Sequence, residues 1–350
     1  MDVRIYSPDM NLIGIVQSQT SLLWTRRYQE AGEFQLQCPI TPNNVRLIHR
    51  GNLVWVQGKK EAGVIESITM NESMTENKMV VKGAFLETYM DRRLIRPFYS
   101  CYNKRTEVAM REILSMAETI PHVELGELKG FTETISFQAT YKNLLTYEGK
   151  LAVSAGLGFR FVPNFTAKTI TFEVYKGVDR SMSQNANHRV IFSDVYNNID
   201  SATYDENDYL YKTVCYVGGR GEGSERTIVV VGDDTGTGVE RREMFLSATD
   251  ITDENITDAE YEAALEQRGL EALSKNSLAL SFECETAQQG NFNYLTDYDL
   301  GDIVTVAKTN WTIKTEQRLT EVTEIYEDGA TKVSPTFGTT LPSSIDWSDN

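Results

Sequence analysis

The sequence predicts a mainly β protein with α+β insertions, in which two similar β-barrel domains flank a smaller α+β domain. Three observations predict this class. Short runs rich in β-branched and aromatic residues, separated by turn formers, dominate both ends of the chain. Apolar residues at helical spacing dominate the middle. The two β-rich ends also share a pattern of one glycine followed by alternating valines.

Residues 1–95 are expected to form the first β-barrel domain, a small barrel or sandwich with one short helix. Thr41 is the predicted N-cap of that helix, Pro42 lies in its first turn and Gly51 ends it. Seven runs with strand character surround the helix: DVRIYS, LIGIVQS, SLLWTRRY, EFQLQCP, NLVWVQG, AGVIESITM and KMVVKGAFL.

Residues 96–190 are expected to form the α+β middle domain. The segments RTEVAMREILSMAET and YKNLLTYEGKLAVSAG place apolar residues at helical spacing, and Gly156 is the predicted stop of the second helix. The runs GFRFVPN and TITFEVYKG then predict a β-hairpin.

Residues 191–340 are expected to form the second β-barrel domain, and residues 341–350 a flexible polar tail. This domain contains a glycine-rich hairpin at residues 216–233 and a helical insertion at residues 257–276. A capping box formed by Thr257 and Glu260 predicts the start of that helix. Gly269 weakens the helix prediction, because glycine has low helix propensity.

An internal repeat links the two ends of the chain. RGNLVWV matches LGDIVTV, which aligns Gly51 with Gly301 and Val54 with Val304. Strands of similar type follow in both places, and their spacing differs by about six residues. Glycine permits the turn that leads into each strand, and the alternating valines supply one buried face. The pattern by itself is common at the start of β-barrel strands, so chance similarity is the alternative.

The glycine-rich loop does not match a phosphate-binding motif. Ser224 and Glu225 stand where a Walker motif has lysine and serine or threonine, and the run that follows predicts a strand instead of a helix. We therefore expect a mobile hairpin loop that becomes ordered against a partner. Its candidate contact residues are Gly218, Gly219, Arg220, Gly221, Glu222 and Gly223.

Composition argues against nucleic-acid binding and against catalysis. A net charge of −16 opposes any surface that neutralises phosphates. The four cysteines form no CxxC pair, so we expect buried free thiols and a cytoplasmic place of synthesis. His49, His122 and His188 lack the spacing of a zinc site. We expect no cofactor, no metal and no apolar stretch long enough for a membrane span.

Other binding chemistries are weaker alternatives. The acidic runs YDENDY and DITDENITD are candidate calcium sites. Asp250 to Asp258 lacks the glycine and terminal glutamate of an EF-hand loop, which favours a solvated loop there. Aromatic residues could also build a sugar-binding platform, although core packing is the ordinary reading. The residues considered for that platform are Trp24, Trp55, Tyr204, Tyr209 and Tyr211.

Many short segments in one order resemble the tail-hub proteins of long-tailed siphovirus bacteriophages and prophages. The resemblance runs through nearly the whole chain. Such tail-hub proteins in turn resemble the baseplate hub of T-even phages. Its segments include VRIYSPDMNLIGIVQSQTSLLWTRRYQEAGEFQLQCP, RGNLVWV, KEAGVIESI, VVKGAFLETYMDRRLI, GELKGFTETISFQATYKNLL, FEVYKGVDRS, VIFSDVYNNI, YVGGRGEGSER and YDLGDIVTV.

The resemblance implies two tail-tube-like barrels and a structural role at the virion tail tip. Such a subunit forms a homotrimeric ring, or stays monomeric in isolation, and joins the sixfold distal tail protein to threefold tip components. Tape-measure and receptor-binding or fibre proteins are the other implied partners, DNA passes through without specific binding, and assembly takes place in the host cytoplasm. The hydrolase or receptor-binding extensions that some relatives carry are expected to be absent or to lie on another polypeptide.

Two other functions remain open from the sequence. One is a tail-associated peptidoglycan hydrolase, although the fifty carboxylates make any proposed acid–base pair unspecific. The other is a receptor-binding adhesin. The acidic excess itself could line the bore of a ring and repel DNA, or serve only solubility.

Overall fold

The computed structural model describes residues 1–254, 256–286, 291–327 and 329–338. It is mainly β, with 22 strands and five α-helices among those residues. The expected flexible tail at residues 341–350 lies outside the described residues. The domain boundaries near residues 95 and 190 stay predictions, and the architecture is given below by its hydrophobic cores.

The N-terminal β-unit consists of two packed sheets with strand orders β2-β1-β5-β6 and β3-β4-β8-β7. Trp24 and Phe34 lie in the core between them, with Phe85 at 4.6 Å from the Trp24 ring. Thr41 caps the helix as predicted, and its side chain accepts from the backbone N–H of Asn44. The elements are β1 (Val3–Tyr6), β2 (Leu12–Ile15), β3 (Ser21–Arg27), β4 (Glu33–Cys38), α1 (Pro42–Leu47), β5 (Leu53–Val56), β6 (Ala62–Val64), β7 (Ser67–Glu72) and β8 (Asn77–Ala84).

The middle unit packs two long helices and one short helix with a two-stranded and a three-stranded sheet. Both predicted helices are present, Asn143 caps the second, and Gly156 ends it with a φ of 62°. The predicted hairpin is also confirmed. The elements are α2 (Thr88–Asp91), β9 (Leu94–Arg105), α3 (Thr106–Met116), β10 (Val123–Leu125), β11 (Thr134–Asn143), α4 (Leu144–Ala155), β12 (Gly158–Asn164) and β13 (Thr169–Tyr175).

The C-terminal β-unit is interrupted by a small α/β unit. In that small unit the glycine-rich hairpin pairs with a third strand, and a helix with the predicted capping box covers one face. The C-terminal β-unit consists of β14 (Ile191–Ser193), β15 (Ile199–Asn207), β19 (Ala279–Thr286), β20 (Ile303–Lys308), β21 (Ile313–Glu327) and β22 (Ala330–Gly338). The small unit consists of β16 (Val214–Gly218), β17 (Ile228–Gly232), β18 (Glu243–Ser247) and α5 (Asp258–Lys275).

The small α/β unit has its own hydrophobic core. The assignment of its hairpin and helix to the second domain stays a prediction. Gly269 lies where α5 meets the sheet. A Cβ there would come within 2.7 Å of Val231 and 2.8 Å of Val217. The low helix propensity of Gly269 is therefore offset by the close packing that it allows.

One sheet runs through both β-units and contains the same arrangement of four antiparallel strands twice. Eight of its ten strands follow the order β15-β19-β22-β21-β3-β4-β8-β7, while β20 also pairs with β21 and β14 with β20. We call β3, β4, β8 and β7 the first quartet and β15, β19, β22 and β21 the second quartet. Numbered in chain order within each quartet, the four strands lie side by side in the order first, second, fourth, third. The described strand pairings do not close either unit into a hydrogen-bonded barrel, because the quartets join each other instead.

The repeat predicted from sequence is visible in the turn hydrogen bonds. Gly51 has a φ of 90° and Gly301 a φ of 93°. Each N–H donates over 2.8 Å to a backbone carbonyl further along the chain: that of Ile65, directly after β6, in one case, and that of Leu319 in β21 in the other. The segment from the glycine to its bonded carbonyl is four residues longer in the second copy than in the first. The expected difference of about six residues is therefore wrong. The extra residues lengthen the β20–β21 hairpin beyond its β5–β6 counterpart.

Candidate assembly interface

The two quartets are joined by antiparallel pairing of β3 with β21, which we call the internal joint. Its ladder runs from Ser21 opposite Glu327 to Arg27 opposite Glu321. Side chains bond across it as well: the Ser21 hydroxyl donates to Glu327 over 2.6 Å, and the hydroxyl oxygens of Thr25 and Thr323 are 3.0 Å apart. The internal joint thus shows how one quartet binds the next.

Charged side chains reinforce the internal joint. The Arg27 guanidinium donates to Glu321 over 2.7 Å. Lys59, on the β5–β6 turn, pairs with the buried carboxylate of Glu324. Ion pairs that are shielded from water hold their partners in one geometry more strongly than exposed pairs do.

Arg26 is the most buried cation of the joint, with 3% of its side chain exposed. Its guanidinium lies 2.7 Å from Glu61 and 3.0 Å from Asp299, and it also bonds the Tyr294 hydroxyl. Burial disfavours the charged form, but the neighbouring Glu61, Tyr294 and Asp299 outweigh burial and raise the pKa of Arg26 above its ordinary value. Arg26 therefore stays charged and ties the two β-units together.

Tyr28, directly after β3, contacts all three large units and was not singled out by sequence reasoning. Its hydroxyl donates to the Gly156 carbonyl over 3.0 Å and accepts from the Gly177 N–H over 3.1 Å. A Cβ on Gly301 would lie 2.2 Å from its ring. A buried tyrosine needs a hydroxyl partner, but no local pattern shows which distant backbone supplies one.

The repeated sheet leaves one open edge at each end. Among the described residues, β7 pairs only with β8, and β15 only with β19. Both edges are largely exposed, including Met70 at 47% on β7. In the repeat, β7 corresponds to β21 and β15 corresponds to β3, which are the two strands of the internal joint. The open edges are thus complementary, and each is a template for another strand.

The face of the sheet that points away from both cores is largely polar, although Leu23, Val80 and Ile325 also lie on it. Alternation along the strands places hydroxyl and amide side chains there, such as Thr69, Gln35, Thr323 and Thr203. The charged residues on this face are Asp205, Glu283, Glu285, Glu321, Glu327 and Glu33 with Arg27, Lys78, Lys82 and Lys332. Acidic and basic groups are interspersed, and the acidic ones are in slight excess.

The glycine-rich loop, predicted as a partner contact, lies on the small α/β unit. Gly218 and Gly219 are buried, whereas Arg220, Gly221, Glu222 and Gly223 are exposed. The loop makes several contacts with the rest of the small α/β unit. The Arg220 N–H donates to the Tyr261 hydroxyl over 2.7 Å, and its guanidinium pairs with Asp253 and with Asp258 at 2.8 Å.

The structure does not bring together the residues considered for a sugar-binding platform or a metal site. The aromatic residues considered for a sugar platform lie in different places: Trp24, Trp55 and Tyr204 belong to three separate cores. Much of the acidic run at residues 250–258 is engaged in ion pairs, for example Asp250 with Lys142 at 3.1 Å. Over the described parts of the chain, no group of three or more potential ligands is placed to hold a metal ion. No helix in those parts is both long and apolar enough to span a bilayer.

The chain is mainly β, with a duplicated sheet and two complementary open edges, and it shares its fold with phage and prophage tail proteins. The chain belongs to the family of siphovirus ReqiPepy6 Gp37-like proteins, whose sequence model matches residues 2–339. The resemblance seen in the sequence is thereby confirmed. No curated protein sequence matches the chain significantly.

Three solved structures of low sequence identity share the fold. A tail protein from Neisseria meningitidis MC58 is 12% identical with a TM-score of 0.60, covering 97% of this chain and 96% of its own. The 43 kDa tail protein of prophage MuSo2 from Shewanella oneidensis is 14% identical with a TM-score of 0.58, covering 96% and 98%. Prophage tail protein gp18 from Listeria monocytogenes EGD-e is 12% identical with a TM-score of 0.59, covering 98% and 96%.

Proposed function

We propose that this protein is a non-enzymatic hub subunit that assembles with copies of itself into a closed ring at the phage tail tip. The observation that carries the proposal is the repeated sheet, in which two complementary edges stay open. In a ring, β7 of one chain pairs with β15 of the next, as β21 pairs with β3 within the chain. Such head-to-tail contacts close into a ring when the rotation between copies permits.

A ring of three chains presents six similar quartets around one axis. The distal tail protein with sixfold symmetry would contact the six quartets, and threefold tip components would contact the three chains. The tape-measure protein and receptor-binding or fibre proteins are the further proposed partners. The exposed loop residues Arg220 to Gly223 remain our candidate contact for one of them.

The polar sheet face would line the bore of this ring. Its hydroxyl, amide and mixed charged groups offer DNA no basic track, which supports passage without specific binding. The slight acidic excess on this face is consistent with weak repulsion of the passing duplex.

The internal joint fixes the register of the proposed contact. When β21 is replaced by β7 and β3 by β15, Thr69 takes the place of Thr323 and Asp205 the place of Thr25. In the internal joint the two threonine hydroxyls are 3.0 Å apart, so the equivalent Cβ atoms between chains are close enough for a disulfide. In the same register Met70 lies opposite Tyr204.

We test the ring with the double variant Thr69→Cys/Asp205→Cys in assembled tails, after mild oxidation and non-reducing electrophoresis. The expected result is cross-linked dimer and trimer with no larger product. A ladder that continues past trimer would contradict a three-chain ring. Absence of any cross-link would contradict the strand pairing.

The matched control is Thr69→Cys/Ser201→Cys, since Ser201 lies on the same strand four residues out of register. We expect it to stay uncross-linked, because four residues of strand span about 13 Å. The four native cysteines are buried in this structure and should not contribute.

A further inference from the structure

We propose that contact between copies is opposed by charge, so that the free subunit stays monomeric until salt or a partner screens its edges. This inference rests on the proposed ring and adds a control on its formation. It follows from comparing the internal joint with the equivalent joint between chains. The backbone pairing is the same in both, and the side-chain charges differ.

Within the internal joint, opposite charges face each other. The paired part of β21 carries three glutamates, and β3 carries Arg26 and Arg27. Arg27 donates to Glu321 over 2.7 Å, and Lys59 neutralises Glu324. Coulomb attraction therefore adds to the backbone hydrogen bonds of this joint.

At the open edges, the charges on both sides are acidic. β7 carries Glu72 and β15 carries Asp200, Asp205 and Glu206, and neither strand contains a lysine or arginine. The joint between chains would therefore bring only acidic charges together on its two strands. The nearest lysines that these carboxylates would meet on the β7 side are Lys78 and Lys82, one strand further into the sheet.

Applying the register of the internal joint to the joint between chains shows which ion pairs are lost. The position of Arg26 is occupied by Glu206, and the position of Arg27 by Asn207. Met70 takes the position of Glu324. The joint between chains retains an apolar contact, Met70 against Tyr204, but neither of the arginines that hold the internal joint has a counterpart.

Salt is the direct probe of this repulsion, because the screening length falls from about 10 Å at 0.1 M to about 3 Å at 1 M. We measure self-association of the full chain by sedimentation equilibrium across that range. The expected result is monomer at low salt and trimer at high salt, with the apparent dissociation constant falling at least about tenfold. If the protein is trimeric at every salt concentration, the proposed charge repulsion is wrong, while the proposed ring still stands.

Charge reversal on one edge provides the sharper test. In Asp205→Lys/Glu206→Lys two exposed carboxylates of β15 become cations, so that β15 carries charges opposite to that of Glu72, the only charged residue of β7. We expect this variant to trimerise at low salt and to dissociate as salt is raised, which reverses the sign of the salt dependence. The neutral variant Asp205→Asn/Glu206→Gln should lie between it and the natural protein.

The matched control is Glu262→Lys/Glu266→Lys, which changes the net charge equally at two exposed positions of α5. It should keep the salt dependence of the natural protein. If the control and the β15 variant behave alike, net charge and not the edge is responsible, and the inference fails. If the β15 variant remains monomeric at all salt concentrations, the inference also fails, while the cross-linking result judges the ring independently.

Discussion

Glu87 is a buried carboxyl whose protonation should be coupled to folding. It lies just before α2, is 2% exposed, and one of its oxygens accepts from the Phe161 N–H over 2.7 Å. The other oxygen has no partner. Burial raises the pKa of Glu87 from 4.5 to about 7, and the Phe161 bond opposes this only in part.

Because the pKa is raised in the folded state, the contribution of Glu87 is fully present below pH 4.5 and is lost as the pH rises through about 7. We predict that Glu87→Gln, which keeps the acceptor for Phe161, has unchanged stability at pH 4.5. At pH 8 it should be more stable than the natural protein by about 2–3 kcal/mol. Urea denaturation at a series of pH values measures the difference.

The exposed substitution Glu222→Gln serves as the control for this experiment, and its stability should follow that of the natural protein at every pH. A constant difference between Glu87→Gln and the natural protein from pH 4.5 to 8 would show that Glu87 does not titrate in this window. Comparing the variants removes the contributions of the other carboxyl groups, which are common to all of them.

At the scale of elements, the two equivalent turns before β5 and β20 differ in what surrounds them. Gly51 and Gly301 share a left-handed φ, but only Gly301 lies against a ring, that of Tyr28. A Cβ at Gly51 would meet no atom within 4 Å. The same local turn is therefore on the surface in one copy and at the centre of the molecule in the other.

This contrast predicts two different costs for the same substitution. Gly51→Ala should lose about 1–2 kcal/mol of unfolding free energy from backbone strain alone. Gly301→Ala should lose about 1–3 kcal/mol more, because the Tyr28 ring must move. Chemical denaturation of both variants measures the difference. Equal losses at the two positions would show that Tyr28 adapts freely.

Single elements were the part of the fold that sequence patterns described best. The capping box of α5, the Thr41 cap of α1 and the stop at Gly156 are local, since each depends on residues within one helical turn. The strands that form the open edges of the sheet were harder to predict. The run YDENDY, considered only as an acidic cluster, begins within the last residues of the edge strand β15.

At the scale of the whole molecule, Arg26 joins the two β-units through Glu61 and Asp299. We predict that Arg26→Ala costs about 3–5 kcal/mol, since it leaves the buried Glu61 carboxylate without its partner. The double variant Arg26→Leu/Glu61→Leu should recover much of that loss. Denaturant titration of the single and double variants gives the coupling energy.

The pair of Arg92 with Glu66, 3.5 Å apart and exposed, is the comparison for this experiment. Arg92→Ala should cost no more than about 1 kcal/mol. If Arg26→Ala is equally mild, the network at Arg26 does not hold the β-units together. Additive effects of Arg26→Leu and Glu61→Leu would lead to the same conclusion.

The sequence by itself determined the mainly β class, the helices with their caps, the glycine-initiated repeat and the family resemblance. These features depend on neighbours along the chain, where propensity, capping and alternation act. Sequence similarity also located the two copies, although it misjudged the length of one hairpin.

Only the tertiary structure decided that the two copies share one sheet and which edges stay open. The internal joint pairs residues that lie far apart, such as Thr25 and Thr323, 298 positions from each other in the chain. Alternation shows which strand face is apolar, but it does not show which strand lies alongside. The charges that meet at each joint, and hence the expected control of assembly, follow from that long-range pairing.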